Sequence, residues 1–312
     1  MSQGNGLEER LERKGISRRD FMKYCTILTA TMGLSSSFVT RVAHALSNAP
    51  RPPVVWLAMA ECTGCAESAL RTTYPWIDEL VLDIISLDYH ETIMAPSGEA
   101  AEKSLHDAMT KNAGKFILIA DGAIPTAQDG AFGTVGGKTM LATIKEVAPK
   151  ALATICIGTC ASFGGLPAAA PNPSGAKSVS EVTGIKTVNL PGCPPNPINL
   201  VGTVVNYLMF GKLPDLDDKG RPLFAYGKTI HDQCPRRSHF ENGEFVTNFN
   251  SEEARKGYCL YQVGCKGPET YNNCPTVKWN DGTSWPVQAG HPCIGCSEPN
   301  FWDKSTPFYK SS

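Results

Sequence analysis

Cysteine placement most restricts what this chain can become. Twelve Cys stand among 312 residues, beside 23 Pro and 29 Gly. Their positions are not scattered. Cys62, Cys65, Cys160 and Cys193 each sit in a turn just after a short apolar run, and six more crowd between Cys234 and Cys296. Turn-rich segments that carry this much Cys wrap something inorganic or are stapled by disulfides. The choice depends on where the chain folds.

The N-terminus speaks to that. Arg13 and Lys14 precede Ser17-Arg18-Arg19-Asp20-Phe21-Met22-Lys23, a mildly apolar stretch runs from Tyr24 to Val39, and Ala43-His44-Ala45 offers a small-x-small cleavage site. Residues 1–45 therefore read as a twin-arginine signal, set apart from the fold. The other reading is a chance Arg-Arg pair before an amphipathic helix. The apolar stretch is short and rich in Ser and Thr, no later segment reaches spanning length, and the end Phe308-Tyr309-Lys310-Ser311-Ser312 is polar, so no membrane anchor of its own is expected. Proteins exported by this route fold first, often around a cofactor inserted in a reducing cytoplasm. Metal is expected at the mature cysteines, disulfides are not, and the destination is the periplasm.

From Val54 to about Gly227, apolar runs alternate with helix-like segments. The runs Val54–Ala60, Val81–Leu87, Phe116–Ala120, Leu152–Ile157 and Thr187–Leu190 show little period-2 alternation, as strands buried on both faces of a parallel sheet do. Between them, Ala100–Thr110, Met140–Ala148 and Ile198–Phe210 carry a helical period. The last has Val201, Val204, Val205 and Leu208 as its stripe and Gly211 as its stop. This predicts a doubly wound α/β domain over residues 46–228. Beyond about Thr229 the period vanishes, yet Tyr258, Tyr261, Trp279, Trp285 and Trp302 need burial, so residues 229–312 read as a small irregular domain organised by its cofactors. A net charge of −1 and a pI near 6.6 offer no basic field, and no nucleic-acid partner is expected.

In an open parallel sheet, ligands bind beyond the carboxyl ends of the strands. Glu61-Cys62-Thr63-Gly64-Cys65, Gly158-Thr159-Cys160 and Pro191-Gly192-Cys193-Pro194-Pro195 all follow predicted strands, so four thiols can converge at one edge. Four thiolates suit either zinc or an iron–sulfur cube. Cys156, inside the fourth run, reads as a small buried hydrophobe, and Cys25 leaves with the signal. In the second half His231, Cys234, Cys259, Cys265, Cys274, Cys293 and Cys296 could serve one cluster of four and one of three. Pro follows Cys193, Cys234 and Cys274, as in ferredoxin ligand runs. Two C-x-x-C pairs with a His could also build zinc ribbons. Gly133 to Thr139 imitates a phosphate loop, but Phe132 stands where the first Gly belongs. His90, His106, His239 and His291 have no nucleophile pattern nearby, and surface or loop roles are expected for them.

Glu61-Cys62-Thr63-Gly64-Cys65-Ala66-Glu67-Ser68, Gly158-Thr159-Cys160, Pro191 to Pro197, Gly264-Cys265-Lys266-Gly267-Pro268 and His291-Pro292-Cys293-Ile294-Gly295-Cys296 together resemble the small subunit of nickel–iron hydrogenases, from about Pro53 to Tyr309. The resemblance implies a flavodoxin-like domain followed by an irregular one, and three clusters in a row leading electrons from a nickel–iron site on a separate large subunit. It implies Cys62, Cys65, Cys160 and Cys193 for a proximal 4Fe–4S cluster. Cys274, Cys293 and Cys296 would hold a medial cluster, of the 3Fe–4S kind because Pro286 stands where some relatives have a fourth Cys. His231, Cys234, Cys259 and Cys265 would hold a distal 4Fe–4S cluster. Gly64 and Gly165 occupy positions where oxygen-tolerant relatives carry extra Cys, so the chain resembles the standard, oxygen-sensitive type. A c-type cytochrome or another redox protein is the implied acceptor. Two other functions compete: a related iron–sulfur subunit of a quinone-linked complex, and a zinc-stabilised secreted binding protein.

Overall fold

The computed structural model describes residues 15, 17–73, 76–280 and 282–309. Arg13 and Lys14 of the signal reading, and the terminal Lys310-Ser311-Ser312, lie outside the described residues. Five parallel strands make the sheet: β1 (Pro53–Ala58), β2 (Ser86–His90), β3 (Ile117–Asp121), β6 (Ala153–Ile157) and β7 (Val188–Leu190), in the order β2-β1-β3-β6-β7. Strands β4 (Thr134–Val135) and β5 (Lys138–Thr139) pair separately as a hairpin. Counting only the sheet strands, this is the 2-1-3-4-5 order of flavodoxin-like folds.

Alternation along each strand feeds two cores. Val54, Trp56, Ile117, Ile119, Ile155, Ile157, Val188 and Leu190 pack on one face. Val55, Leu57, Leu118, Ala120 and Cys156 pack on the other. With both faces buried, nearly every position of β1, β3 and β6 is apolar, which explains the unbroken runs in the sequence. Helices α1 (Arg18–Thr31), α2 (Val39–Asn48), α3 (Gly64–Leu70), α4 (Glu99–Lys111), α5 (Met140–Val147), α6 (Gly158–Phe163) and α7 (Pro197–Phe210) flank the sheet. Pro197 at the first turn, the Asn196 side chain accepting from Ile198 N–H, and Gly211 in the left-handed conformation bound α7 chemically.

One predicted strand is displaced. Val81–Leu87 is not extended throughout: Leu80–Ile84 forms a π-helical turn, and the strand begins at Ser86. Ile77, Leu80, Val81 and Ile84 recur at helical spacing, Leu80 and Ile84 are buried, and Leu82 faces solvent. An apolar run this short fits either period, and packing chose the helix. The expectation for His90 also needs correcting. It is neither surface nor loop but the last residue of β2, 3% exposed and packed at a tilt of 33° against Trp56 with ring centroids 5.0 Å apart.

Residues 18–48 form α1 and α2, and Tyr24, Cys25, Leu28, Met32, Val42 and Leu46 join the core that contains Val201, Val204 and Val205 of α7. Ser17 caps α1, its Oγ accepting from Asp20 N–H at 3.2 Å. After Thr229, short turns surround a separate apolar cluster of Ile230, Val246, Leu260, Val263, Trp285 and Val287, with Cys234, Cys265, Cys274 and Cys293 packed against it. Among the described residues, no helix is long and apolar enough to cross a membrane.

Candidate iron–sulfur ligand sites

The sheet register assembles the first site. Ala58, Asp121, Ile157 and Leu190 are paired in sequence across β1, β3, β6 and β7, so the loops that follow leave from one level. Cys62 and Cys65 come from the loop after β1 and the start of α3, Cys160 from α6 directly after β6, and Cys193 from the loop after β7. Thr63 takes a left-handed φ of 65°, uncommon for a β-branched residue, and turns the chain between the two thiols. Gly158, at φ +85°, has no room for a side chain: a Cβ there would stand 2.4 Å from Cys65 Sγ. A Cβ at Gly165 would stand 2.5 Å from Cys160 Sγ, and one at Gly64 3.2 Å from Cys62 Sγ. The Pro191–Pro197 loop is held by Tyr226 Oη donating to Pro191 O at 2.8 Å and Ser68 Oγ donating to Pro195 O at 2.7 Å.

The electrostatics suit iron and disfavour empty thiolates. Burial first, then neighbouring thiols, pushes Cys160 up to about 12 and Cys193 up to about 11. Cys65 is raised further by burial and by Asp121, whose own carboxyl is pushed up to about 7 by burial and then by Glu61. Thiolates crowded in a low dielectric are stable only when cationic iron compensates them, and iron binding expels their protons.

The second-half candidates fall in two further neighbourhoods. His231, Cys234, Cys259 and Cys265 line one cavity with Arg236, Tyr261 and Pro268. His231 lies in a short turn, its ring edge-on to Phe240 at 4.6 Å. Arg236 N–H donates to Cys234 Sγ at 3.4 Å. Cys274 opens a short helical turn fixed by a reciprocal amide pair between buried Asn199 and Asn273, at 2.8 and 3.2 Å. Burial raises Cys274 to about 12, with Cys296 as the second cause, and burial also raises Cys293 and Cys296. Pro286 is solvent-exposed between buried Trp285 and Val287. Cys156 lies in β6, fully buried and opposite Ala120 and Asn189.

The three sets touch in order. Thr159, next to Cys160, donates its hydroxyl to the Cys296 carbonyl. Cys293 N–H in turn donates to Cys265 Sγ at 3.4 Å. Among the described residues, no three His, Cys, Asp or Glu groups close on a single ion.

Some residues gave no signal in the sequence. Arg221 is buried, pairing with Asp217 at 2.8 Å and Glu298 at 2.7 Å and donating to Ser297 O, one residue past Cys296. Asn199, Asn273 and Asp121 are likewise buried polar groups in apolar surroundings. Only the polarity of Asn199 inside an apolar helix and of Asp121 at the end of an apolar strand could have flagged them; Asn273 lies in a loop. The Gly133–Thr139 segment is the β4–β5 hairpin, with Gly136 and Gly137 both at positive φ as a two-residue primed turn demands. His239 pairs with Glu244 at 2.6 Å, and His106 and His291 are exposed.

A flavodoxin-like sheet whose edge gathers thiols, followed by a turn-rich segment with two more sets, defines an iron–sulfur electron-transfer protein. Residues 226–309 match the family described as the C-terminal part of the "NiFe/NiFeSe hydrogenase small subunit", and residues 62–207 match "NADH ubiquinone oxidoreductase, 20 Kd subunit". The periplasmic NiFe hydrogenase small subunit 1 of Nitratidesulfovibrio vulgaris is 57% identical over 98% of this chain and 97% of its own length. The periplasmic NiFe hydrogenase small subunit of Solidesulfovibrio fructosivorans is 58% identical over 97% and 96%. The crystal structure of the Ni-Fe-Se hydrogenase from Desulfomicrobium baculatum superposes with a TM-score of 0.79 and 41% identity, covering 84% of this chain and all of that one. The chain belongs to the small-subunit family of nickel–iron hydrogenases. It is the electron-transfer subunit and pairs with a hydrogenase large subunit. The second match shows why the first-half cysteines alone left a quinone-linked relative open; the match over the second half selects the hydrogenase.

Proposed function

We propose that this chain relays electrons between the large subunit's nickel–iron site and an external acceptor such as a multihaem c-type cytochrome. Its ligand sets would be a proximal 4Fe–4S (Cys62, Cys65, Cys160, Cys193), a medial 3Fe–4S (Cys274, Cys293, Cys296) and a distal 4Fe–4S (His231, Cys234, Cys259, Cys265). When bound, the clusters supply one-electron chemistry at potentials set by charge, hydrogen bonding and exposure. The rest falls to the polypeptide. It partly encloses most of the thiols, leaving Cys62 and Cys193 exposed, donates N–H groups to Cys234 and Cys265, and keeps the sets at fixed spacing. The observation that carries the reading is the serial contact of the sets: Thr159, beside Cys160, against the Cys296 carbonyl, then Cys293 N–H against Cys265 Sγ.

Gly64 and Gly165 lie against Cys62 and Cys160, so extra Cys there would enter the proximal set; their absence supports the standard, oxygen-sensitive type. The Arg18-Arg19 pair and Ala43-His44-Ala45 support folded export to the periplasm with a mature chain beginning near Leu46. One preparation tests all of this. The complex purified from the periplasmic fraction should contain a small subunit starting near Leu46, with about eleven irons and an oxidised 3Fe-type EPR signal. Pro286→Cys should convert that signal to a 4Fe type. A colourless protein holding zinc, or an unchanged medial signal in Pro286→Cys, would count against the assignment.

A further inference from the structure

Thr159 sits between Gly158 and Cys160, 1% exposed, and its hydroxyl makes two bonds in opposite directions. Oγ1 accepts from Gly192 N–H at 2.9 Å, on the loop that carries Cys193. The same oxygen donates its proton to the carbonyl of Cys296. Thr159 N–H returns to Gly192 O at 3.0 Å. One side chain thus ties together the peptides of Cys160, Cys193 and Cys296, residues assigned to two different clusters. β-Branching leaves its χ1 few choices, so both bonds are held in one geometry. The groups it pairs are interior, and removing the hydroxyl would leave a donor and an acceptor without compensation from water.

We infer that Thr159 is a positioning residue that fixes the proximal and medial ligand sets relative to one another, its hydroxyl being the hydrogen-bonded link between them. The inference rests on the ligand assignment above. A Val in its place keeps shape and branching and deletes only the link. A Ser keeps the link and deletes the methyl group.

The test uses the purified heterodimer of parent, Thr159→Val and Thr159→Ser. Iron content, the magnetic splitting between the reduced proximal and medial centres, and the freeze-quench rate of medial reduction after adding dihydrogen are measured. With full iron, Thr159→Val should lose the splitting and slow medial reduction roughly tenfold, since misplacement on the 1 Å scale carries penalties of that order or larger. Thr159→Ser should match the parent. Full iron with parental splitting and rate in Thr159→Val overturns the inference. If Thr159→Val fails to load iron, Thr159→Ser decides: parental behaviour supports the hydroxyl link, and a slowed, uncoupled Ser variant assigns the effect to the methyl group and overturns it. Two cluster signals absent from the parent itself would fault the ligand assignment instead, and that result is read before either variant is made.

Discussion

Arg221→Leu isolates what a buried charge does at the junction of the two cofactor-bearing segments. The guanidinium is 2% exposed at its side chain, and its partners Asp217 and Glu298 are 14% and 17% exposed. It also lies over the Tyr271 ring at 5.3 Å and the Tyr226 ring at 5.8 Å. Leu fills part of the space but leaves two largely buried carboxylates facing one another. Removing one partner of a buried ion pair costs about 3–5 kcal/mol, most of it from the orphaned charge. Each carboxylate keeps only backbone donors: Lys219 and Arg221 N–H for Asp217, and Tyr271 N–H for Glu298. Urea unfolding of the assembled complex, followed by loss of cluster absorbance, should shift by that amount. The triple variant Arg221→Leu, Asp217→Asn, Glu298→Gln should recover at least half of the loss. A single variant within about 1 kcal/mol of the parent would refute the reasoning, as would a triple variant worse than the single.

Two further outcomes follow from burial. His90 is held at about 4 by desolvation, below the usual value near 6.5. The folded state therefore prefers the neutral ring, so the contribution is complete above pH 6.5 and is lost as pH falls toward 4. Between pH 7 and 5 the parent should lose about 2 kcal/mol relative to His90→Phe in urea titrations, and parallel titrations would exclude this. Cys156→Ala should cost about 1–2 kcal/mol for the small cavity it opens and leave the iron content unchanged; loss of iron would make Cys156 a ligand.

Much of the sheet was legible because parallel strands buried on both faces leave unbroken apolar runs, and Phe116–Ala120 and Leu152–Ile157 differ from β3 and β6 by one residue at the ends. The second strand was not, because Val81 to Ile85 satisfies both periods and only contact with the core selects the helix. The thiols were legible by type and by place at strand ends. Their serial contact was not, since Thr159 and Cys296 are 137 residues apart and nothing local announces that they meet. Arg221 was hidden for a related reason: its carboxylates lie four residues before and 77 after it, and its burial is a property of the assembled junction.

If the chain is cut near Leu46 as proposed, the docking of α1 and α2 would give the precursor and the processed protein different skins. Met32 lies close to Gly202, a Cβ on which would stand 3.6 Å from Met32 Cγ, while Phe38 and Arg41 cover the Phe210 ring. A cut after Ala45 would strip Tyr24, Leu28, Met32 and Val42 from Val201, Val204 and Val205, and a water-shy strip along α7 would then meet solvent or a neighbour. Under that proposal proteolysis would also be a change of wetting: the full-length and trimmed polypeptides should part company on a hydrophobic-interaction column by more than the mass removed would suggest.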